Sequence, residues 1–256
     1  MKPAIIPNFL IIGAAKAATT SLSSLLELHP QAAIAKSKEP HFFSYDRHYH
    51  LGWGHYLQRY SHCNGEKAIG DASTSYSRIR YYPATVNRIK QHIPDTRIIY
   101  MVRHPLERME SAYIEHLCTP KGRVFNSVSD AVKQLPMIVD SSRYWEVFDF
   151  YRQSFDESKI KVVWFEEYVT NTVAVFQDVC RFLEIDDRVI PDLACQRANS
   201  RQEASDRMTR LGRDSVQINT AWDEEARYRV INLIKEDNLR FLSHFSQPLD
   251  YWGDIF

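Results

Sequence analysis

Four absences narrow this 256-residue chain before any motif is read. It has no Pro, Gly and Ser run long enough to be a linker, no low-complexity tract and no internal repeat, so one folded domain spanning 1–256 is expected. It has no apolar run long enough for a membrane span, and the N-terminal stretch MKPAIIPNFLIIG is broken by Pro3, Pro7 and Asn8. Only Phe9 to Ile12 run unbroken before Gly13, too little for a secretory h-region, so a cytoplasmic location is expected. Excess charge of one sign is also missing. Thirty-two Lys plus Arg face 32 Asp plus Glu, so no global field draws the chain to nucleic acid or anionic lipid, and any polyanion site must be local. Cysteine is scarce: Cys63, Cys118, Cys180 and Cys195 are scattered without a C-x-x-C pair, which suits reduced thiols rather than a disulfide frame or a zinc site.

What is present is a strand-then-helix rhythm. Phe9 to Ile12, Arg97 to Val102 (RIIYMV) and Ile160 to Phe165 (IKVVWF) are short, nearly continuous apolar runs, as strands covered on both faces of a parallel sheet require. A helical pattern follows the first from Thr20 to Leu28, with Leu22, Leu25 and Leu26 on one face and Thr19 or Thr20 available as N-cap. Another follows the second from Pro105, with Leu106, Met109 and Tyr113 on one face. Further helices are expected at Ser127 to Gln134, Tyr144 to Ser154, Val173 to Leu183 and Asp223 to Phe245. The pattern predicts an α/β fold: a single P-loop-like domain with a central, mainly parallel β-sheet flanked by helices.

The turn after the first strand, GAAKAATTS, resembles a phosphate-binding loop whose lysine stands in the wrong place. A G-x-x-x-x-G-K-[ST] loop begun at Gly13 needs Gly at 18 and Lys at 19, whereas this chain has Ala18, Thr19 and Thr20, and its lysine is Lys16. A strand, a small-residue turn and a helix N-terminus still present backbone N–H groups to an anion. Thr19, Thr20 and Ser21 add hydroxyls without an obvious carboxylate partner for a metal, so the loop suits an anion handled without magnesium. The bland alternative is an Ala-rich turn that packs a helix tightly on a strand. In VRHPLERMESAY, the strand runs into Arg103, and Ser111 lies on the following helix. A guanidinium at a strand's carboxyl end plus a helical hydroxyl makes a second anion site. On its own, Arg103 could equally be a strand-end salt bridge and Ser111 an ordinary helical serine.

Together, IIGAAKAATTSL and VRHPLERMESAY resemble the two nucleotide signatures of the sulfotransferases that use 3′-phosphoadenosine 5′-phosphosulfate (PAPS). KEPHFFS at Lys38 to Ser44 is similar to the E-x-H-F-F segment of the heparan-sulfate type of carbohydrate sulfotransferase, and GDASTSY at Gly70 to Tyr76 to its G-E-x-[ST]-P-x-Y. The likeness runs from about Pro7 to Ile185, with SRYWEVFDFY, KIKVVWFEEYVTN and VCRFLEI extending it. Three positions depart from the pattern: Ala18 replaces a usual glycine, His104 a usual Asp or Asn, and Thr74 a usual Pro.

The resemblance implies transfer of a sulfuryl group to an acceptor hydroxyl, or less often an amine, on a saccharide or small metabolite, with no metal required. It assigns the 5′ end of the donor to Lys16, the backbone of Ala17, Ala18, Thr19 and Thr20, and the hydroxyls of Thr19, Thr20 and Ser21. Arg103 and Ser111 take the 3′-phosphate, and Asn199, Ser200 and Arg201 resemble the loop that closes over the donor. Glu39 becomes the base, with His41 as competitor or helper and Lys16 stabilising the leaving phosphate. Read without the resemblance, Glu39 is an exposed loop residue between Lys38 and Pro40. HFFSYDRHYHLGWGHYLQRYSHC is read as an amphipathic lid with Tyr49, Trp53 and Tyr56 on the sheet, ahead of a metal reading for His48, His50, His62 and Cys63. Two other functions stay open: a Mg-dependent P-loop kinase, and a catalytically silent nucleotide-binding protein of the same fold.

Overall fold

The three apolar runs form strands, and two further strands accompany them. The computed structural model describes residues 5–120, 122–192, 201–253 and 255–256. In chain order the elements are β1 (Phe9–Gly13), α1 (Thr19–Glu27), β2 (Ala32–Ile34), α2 (Asp46–Tyr49), α3 (Trp53–Leu57), β3 (Ala68–Ala72), α4 (Thr85–His92), β4 (Arg97–Val102), α5 (Pro105–Leu117), α6 (Val128–Gln134), α7 (Pro136–Asp140), α8 (Tyr144–Arg152), β5 (Ile160–Trp164), α9 (Phe165–Thr170), α10 (Thr172–Phe182), α11 (Arg201–Arg210) and α12 (Glu224–His244). The expected strand to Phe165 ends one residue earlier, because Phe165 opens α9.

By internal packing the chain divides into two units, residues 1–103 with 147–196, and residues 104–146 with 197–256. The first unit holds the whole sheet. Its five strands are all parallel in the order β2-β3-β1-β4-β5, so β1 is central. Every residue of β1 is buried, as a strand covered on both faces must be. Leu22, Leu25 and Leu26 of α1 are fully buried, confirming the helical face read from their spacing. Gly70 of β3 pairs with Phe9 of β1, and a Cβ there would lie 2.3 Å from the Phe9 ring, so the glycine makes room for an aromatic. The aromatic segment after β2 packs inward: Phe42 stacks on Tyr56 at 4.4 Å, and Trp53 on His92 at 4.5 Å.

The second unit is helical. Leu106, Met109 and Tyr113 of α5 join Val128, Ala131 and Val132 of α6, Ile138 and Val139 of α7, Ala204 and Met208 of α11, and Val230 and Ile234 of α12 in one core. Arg108 is buried within this unit, its Nε donating to Ser142 Oγ at 2.6 Å and its guanidinium also reaching the Ile138 carbonyl. Asp237 of α12 accepts the backbone N–H groups of Trp145 and Glu146 at 3.0 and 2.9 Å, and burial pushes its carboxyl up to about 6. Among the described residues no helix is long and apolar enough to cross a membrane.

Candidate active site

The turn between β1 and α1 is built by unusual backbone angles. Gly13 sits at φ 143, and a Cβ there would meet Ser77 Oγ at 2.3 Å, so this position needs glycine for both conformation and space. Lys16 and Ala18 adopt left-handed φ values of 74 and 65 without being glycine. Such residues cost about 1–3 kcal/mol each and persist where surrounding structure holds them. Ala18, not Thr19 or Thr20, occupies the N-cap, and no side chain caps the helix. The N–H of Ala17 donates to Ala14 O at 3.2 Å, so its hydrogen is spent inside the turn. The first N–H groups of α1, from Thr19 onward, lack partners four residues back within the helix and face its positive end. Lys16 is half-buried at the apex.

Arg103 leaves the end of β4 and reaches this turn directly. Its Nη1 donates to Lys16 O at 3.4 Å, and its guanidinium lies over the Phe165 ring at 4.3 Å. The sequence suggests two separate anion sites; the guanidinium and the loop are in fact in hydrogen-bond contact. Ser111 is half-buried on α5, in the second unit. His104 caps that helix, accepting the Glu107 N–H at 3.4 Å, with Pro105 at the first helical position as its fixed φ favours. Asn199 and Ser200 lie outside the described residues, and Arg201 is the first residue of α11.

Glu39 and His41 form one cluster. Glu39 Oε2 accepts the Thr74 hydroxyl at 3.0 Å and faces His41 Nε2 at 3.4 Å. His41 Nδ1 meets Ser75 Oγ at 2.6 Å, and its ring stacks on Tyr45 at 4.4 Å. Burial lowers the His41 pKa against the opposing pull of the Glu39 carboxylate, with His48, Arg78 and Arg47 adding to the lowering, so the imidazole is neutral near pH 7. Ser37, Glu39 and His41 all have positive φ, at 70, 53 and 53, so the segment is held in a strained course. His48 is engaged elsewhere, donating from Nδ1 to Pro40 O at 2.8 Å.

Sequence reading missed three groups. Lys38 Nζ donates to Thr20 Oγ1 at 2.6 Å, fastening the Glu39 segment to the first turn of α1. Tyr168 of α9 meets Ser21 Oγ at 2.7 Å and fixes a second hydroxyl of that turn. Asp71, fully buried in β3, accepts the hydroxyl of Ser73, whose oxygen accepts the His41 N–H. The signal for Lys38 was present in its adjacency to Glu39, and that for Asp71 in the GDASTSY motif, which also holds its partners Ser73 and Tyr76; Tyr168 had none, because its partner Ser21 is distant in sequence.

A family model described as "Sulfotransferase domain" matches residues 7–218. The chain is similar to the membrane-associated sulfotransferase kil1 of Dictyostelium discoideum, with 31% identity over 42% of this chain and 22% of that protein. It is also similar to human heparan sulfate glucosamine 3-O-sulfotransferase 6, with 34% identity over 45% of this chain and 32% of that protein. The matched stretch thus spans less than a third of either curated relative. A solved sulfotransferase from Alicyclobacillus acidocaldarius superposes with a TM-score of 0.75 at 25% identity, covering 97% of this chain and 99% of that one.

Proposed function

Since the chain belongs to the sulfotransferase family, we propose that it moves a sulfuryl group from PAPS to an acceptor hydroxyl. The acceptor oxygen attacks sulfur in line, the bond from sulfur to the 5′-phosphate oxygen breaks, and adenosine 3′,5′-bisphosphate leaves with the negative charge. Glu39 takes the acceptor proton as the new O–S bond forms. Lys16 and the N–H groups opening α1 stabilise the charge that grows on the leaving phosphate. Arg103 holds the 3′-phosphate, which separates this donor from ATP. Neutral His41 orients the Glu39 carboxylate from Nε2.

One observation carries this reading: the Lys38 to Thr20 hydrogen bond ties the segment bearing Glu39 to the first turn of α1. A proton acceptor fastened beside an anion-binding helix end is what in-line transfer requires. A carbohydrate acceptor is supported by the similarity to a heparan sulfate glucosamine sulfotransferase over part of this chain. The buried thiols of Cys63, Cys118 and Cys180 accord with a cytoplasmic setting.

The test is calorimetric titration with adenosine 3′,5′-bisphosphate beside Mg-ATP, followed by transfer of labelled sulfate from PAPS to a saccharide panel. Binding that needs the 3′-phosphate and no metal, with label in a saccharide, is the expected result. Binding of Mg-ATP without the bisphosphate overturns the assignment in favour of a kinase.

A further inference from the structure

The motif GDASTSY supplies more than its likeness to a family signature. Asp71 stands in β3 with no exposed surface. Its Oδ1 accepts the Ser73 hydroxyl at 2.7 Å, and its Oδ2 accepts the hydroxyls of Tyr76 at 2.6 Å and Tyr56 at 2.9 Å. Tyr60 in turn donates to the Tyr56 oxygen at 2.8 Å. A carboxylate buried in a sheet core disfavours folding unless its lone pairs are filled, and a well-packed apolar residue usually does as well for stability alone. Three hydroxyl donors on one buried carboxylate therefore point to a geometric task.

Ser73 shows what the task is. Because its proton is committed to Asp71, its oxygen lone pairs are left to accept, and the Ser73 oxygen accepts the backbone N–H of His41 at 3.0 Å. His41 is one of the left-handed residues of the segment, a conformation that a non-glycine residue keeps only where its surroundings enforce it. The next two hydroxyls meet the same segment: Thr74 donates to Glu39, and Ser75 contacts the His41 ring and Ser44 Oγ, the latter at 2.6 Å. Three consecutive hydroxyl residues thus read three points of the Glu39 to Ser44 segment from below.

Resting on the sulfotransferase reading, we propose that Asp71 is a positioning residue: through the oriented Ser73 hydroxyl it locks the His41 backbone and so aims the Glu39 carboxylate. Burial pushes the Asp71 carboxyl up to about 6, and the Tyr76, Ser73 and Tyr56 hydroxyls oppose that rise by donating to the charged form.

The test compares Ser73→Ala, Ser73→Thr, Asp71→Asn and Tyr60→Phe in the full chain. Ser73→Ala should lower kcat about 10- to 100-fold, the scale of a misplaced reacting group, with bisphosphate affinity held within twofold. Ser73→Thr, which keeps the hydroxyl, should restore most of that rate, and amide exchange at His41 should accelerate in the Ala variant. Asp71→Asn should follow Ser73→Ala in kcat. Should it fail to fold, the Ser73 pair carries the test alone. Tyr60→Phe, one step further out, should lower the unfolding midpoint and leave kcat in place. If Ser73→Ala loses stability while keeping kcat, Asp71 is a core residue only and the proposal is overturned. Wild-type protein that neither binds the bisphosphate nor transfers sulfate overturns the underlying reading instead, a result visible before any variant is made.

Discussion

Replacing Glu39 by Gln separates the two candidate bases. Glutamine keeps the shape and can still accept the Thr74 hydroxyl that Glu39 accepts at 3.0 Å, but it cannot take a proton. A positioned base contributes about 10²- to 10⁴-fold, which at 1.36 kcal/mol per decade is about 3–5 kcal/mol of barrier. Exchange of a charged for a neutral hydrogen bond at this partly exposed site changes stability by about 1 kcal/mol or less. The variant should therefore fold, bind adenosine 3′,5′-bisphosphate at least as well as wild type, since a negative charge has left the site, and turn over at least 100-fold more slowly. Loss of the carboxylate also removes the main influence holding the His41 pKa up, so the imidazole becomes still more fully neutral near pH 7 and available as a base. That sharpens the contrast. The assay is kcat for labelled sulfate transfer beside a bisphosphate titration, both at pH 7, with His41→Ala in parallel. A Glu39→Gln enzyme within threefold of wild type beside a dead His41→Ala enzyme would refute the assignment and move the base to His41.

Two further outcomes follow from backbone and burial. Gly13→Ala places a Cβ 2.3 Å from Ser77 Oγ at φ 143, adding left-handed strain to overpacking, and should cost about 3 kcal/mol in urea unfolding. Adding Ser77→Gly should return only the packing part, and a loss under about 1 kcal/mol would contradict the turn geometry. For Asp237, the folded pKa of about 6 lies above the usual 3.8, so its contribution to stability is fully present below about pH 4 and is lost as pH rises through 6. Relative to Asp237→Asn, the wild type should lose roughly 3 kcal/mol between pH 4 and pH 8, at 1.36 kcal/mol per pKa unit; a difference that does not change with pH would exclude the burial.

Strands β1, β4 and β5 were legible because continuous apolar runs leave few alternatives in a sheet covered on both faces. β2 and β3 were not. AAI is only three residues long, and AIGDA carries a glycine and an acid, residues that argue against a strand until Phe9 is seen filling the space over Gly70 and three hydroxyls are seen on Asp71. The turn from β1 into α1 was legible from its spacing and small residues, yet its cap was misread: Thr19 and Thr20 are better cap formers than Ala18, but Ala18 takes the position in a left-handed turn. Glu39 looked like a loop residue because its partner Thr74 is 35 positions away, and only the meeting of the two segments reveals the cluster. The helical unit was readable helix by helix, while its shared core, drawn from both sides of β5 in the chain, was not.

Arg103 donates to the carbonyl of Lys16 itself, while its guanidinium plane rests on Phe165. A guanidinium already seated on an aromatic face loses little rotamer freedom when an anion arrives, so less of the binding energy is dissipated in ordering it. The same hydrogen bond makes the two ends of the proposed donor site mechanically dependent. Shifting the guanidinium displaces the loop that carries the lysine, and reshaping the loop unseats the guanidinium. On that assignment a nucleotide stripped of one phosphate forfeits more than that phosphate's own contacts, and discrimination between donor and ordinary nucleotides becomes a cooperative property of the loop and the strand end together.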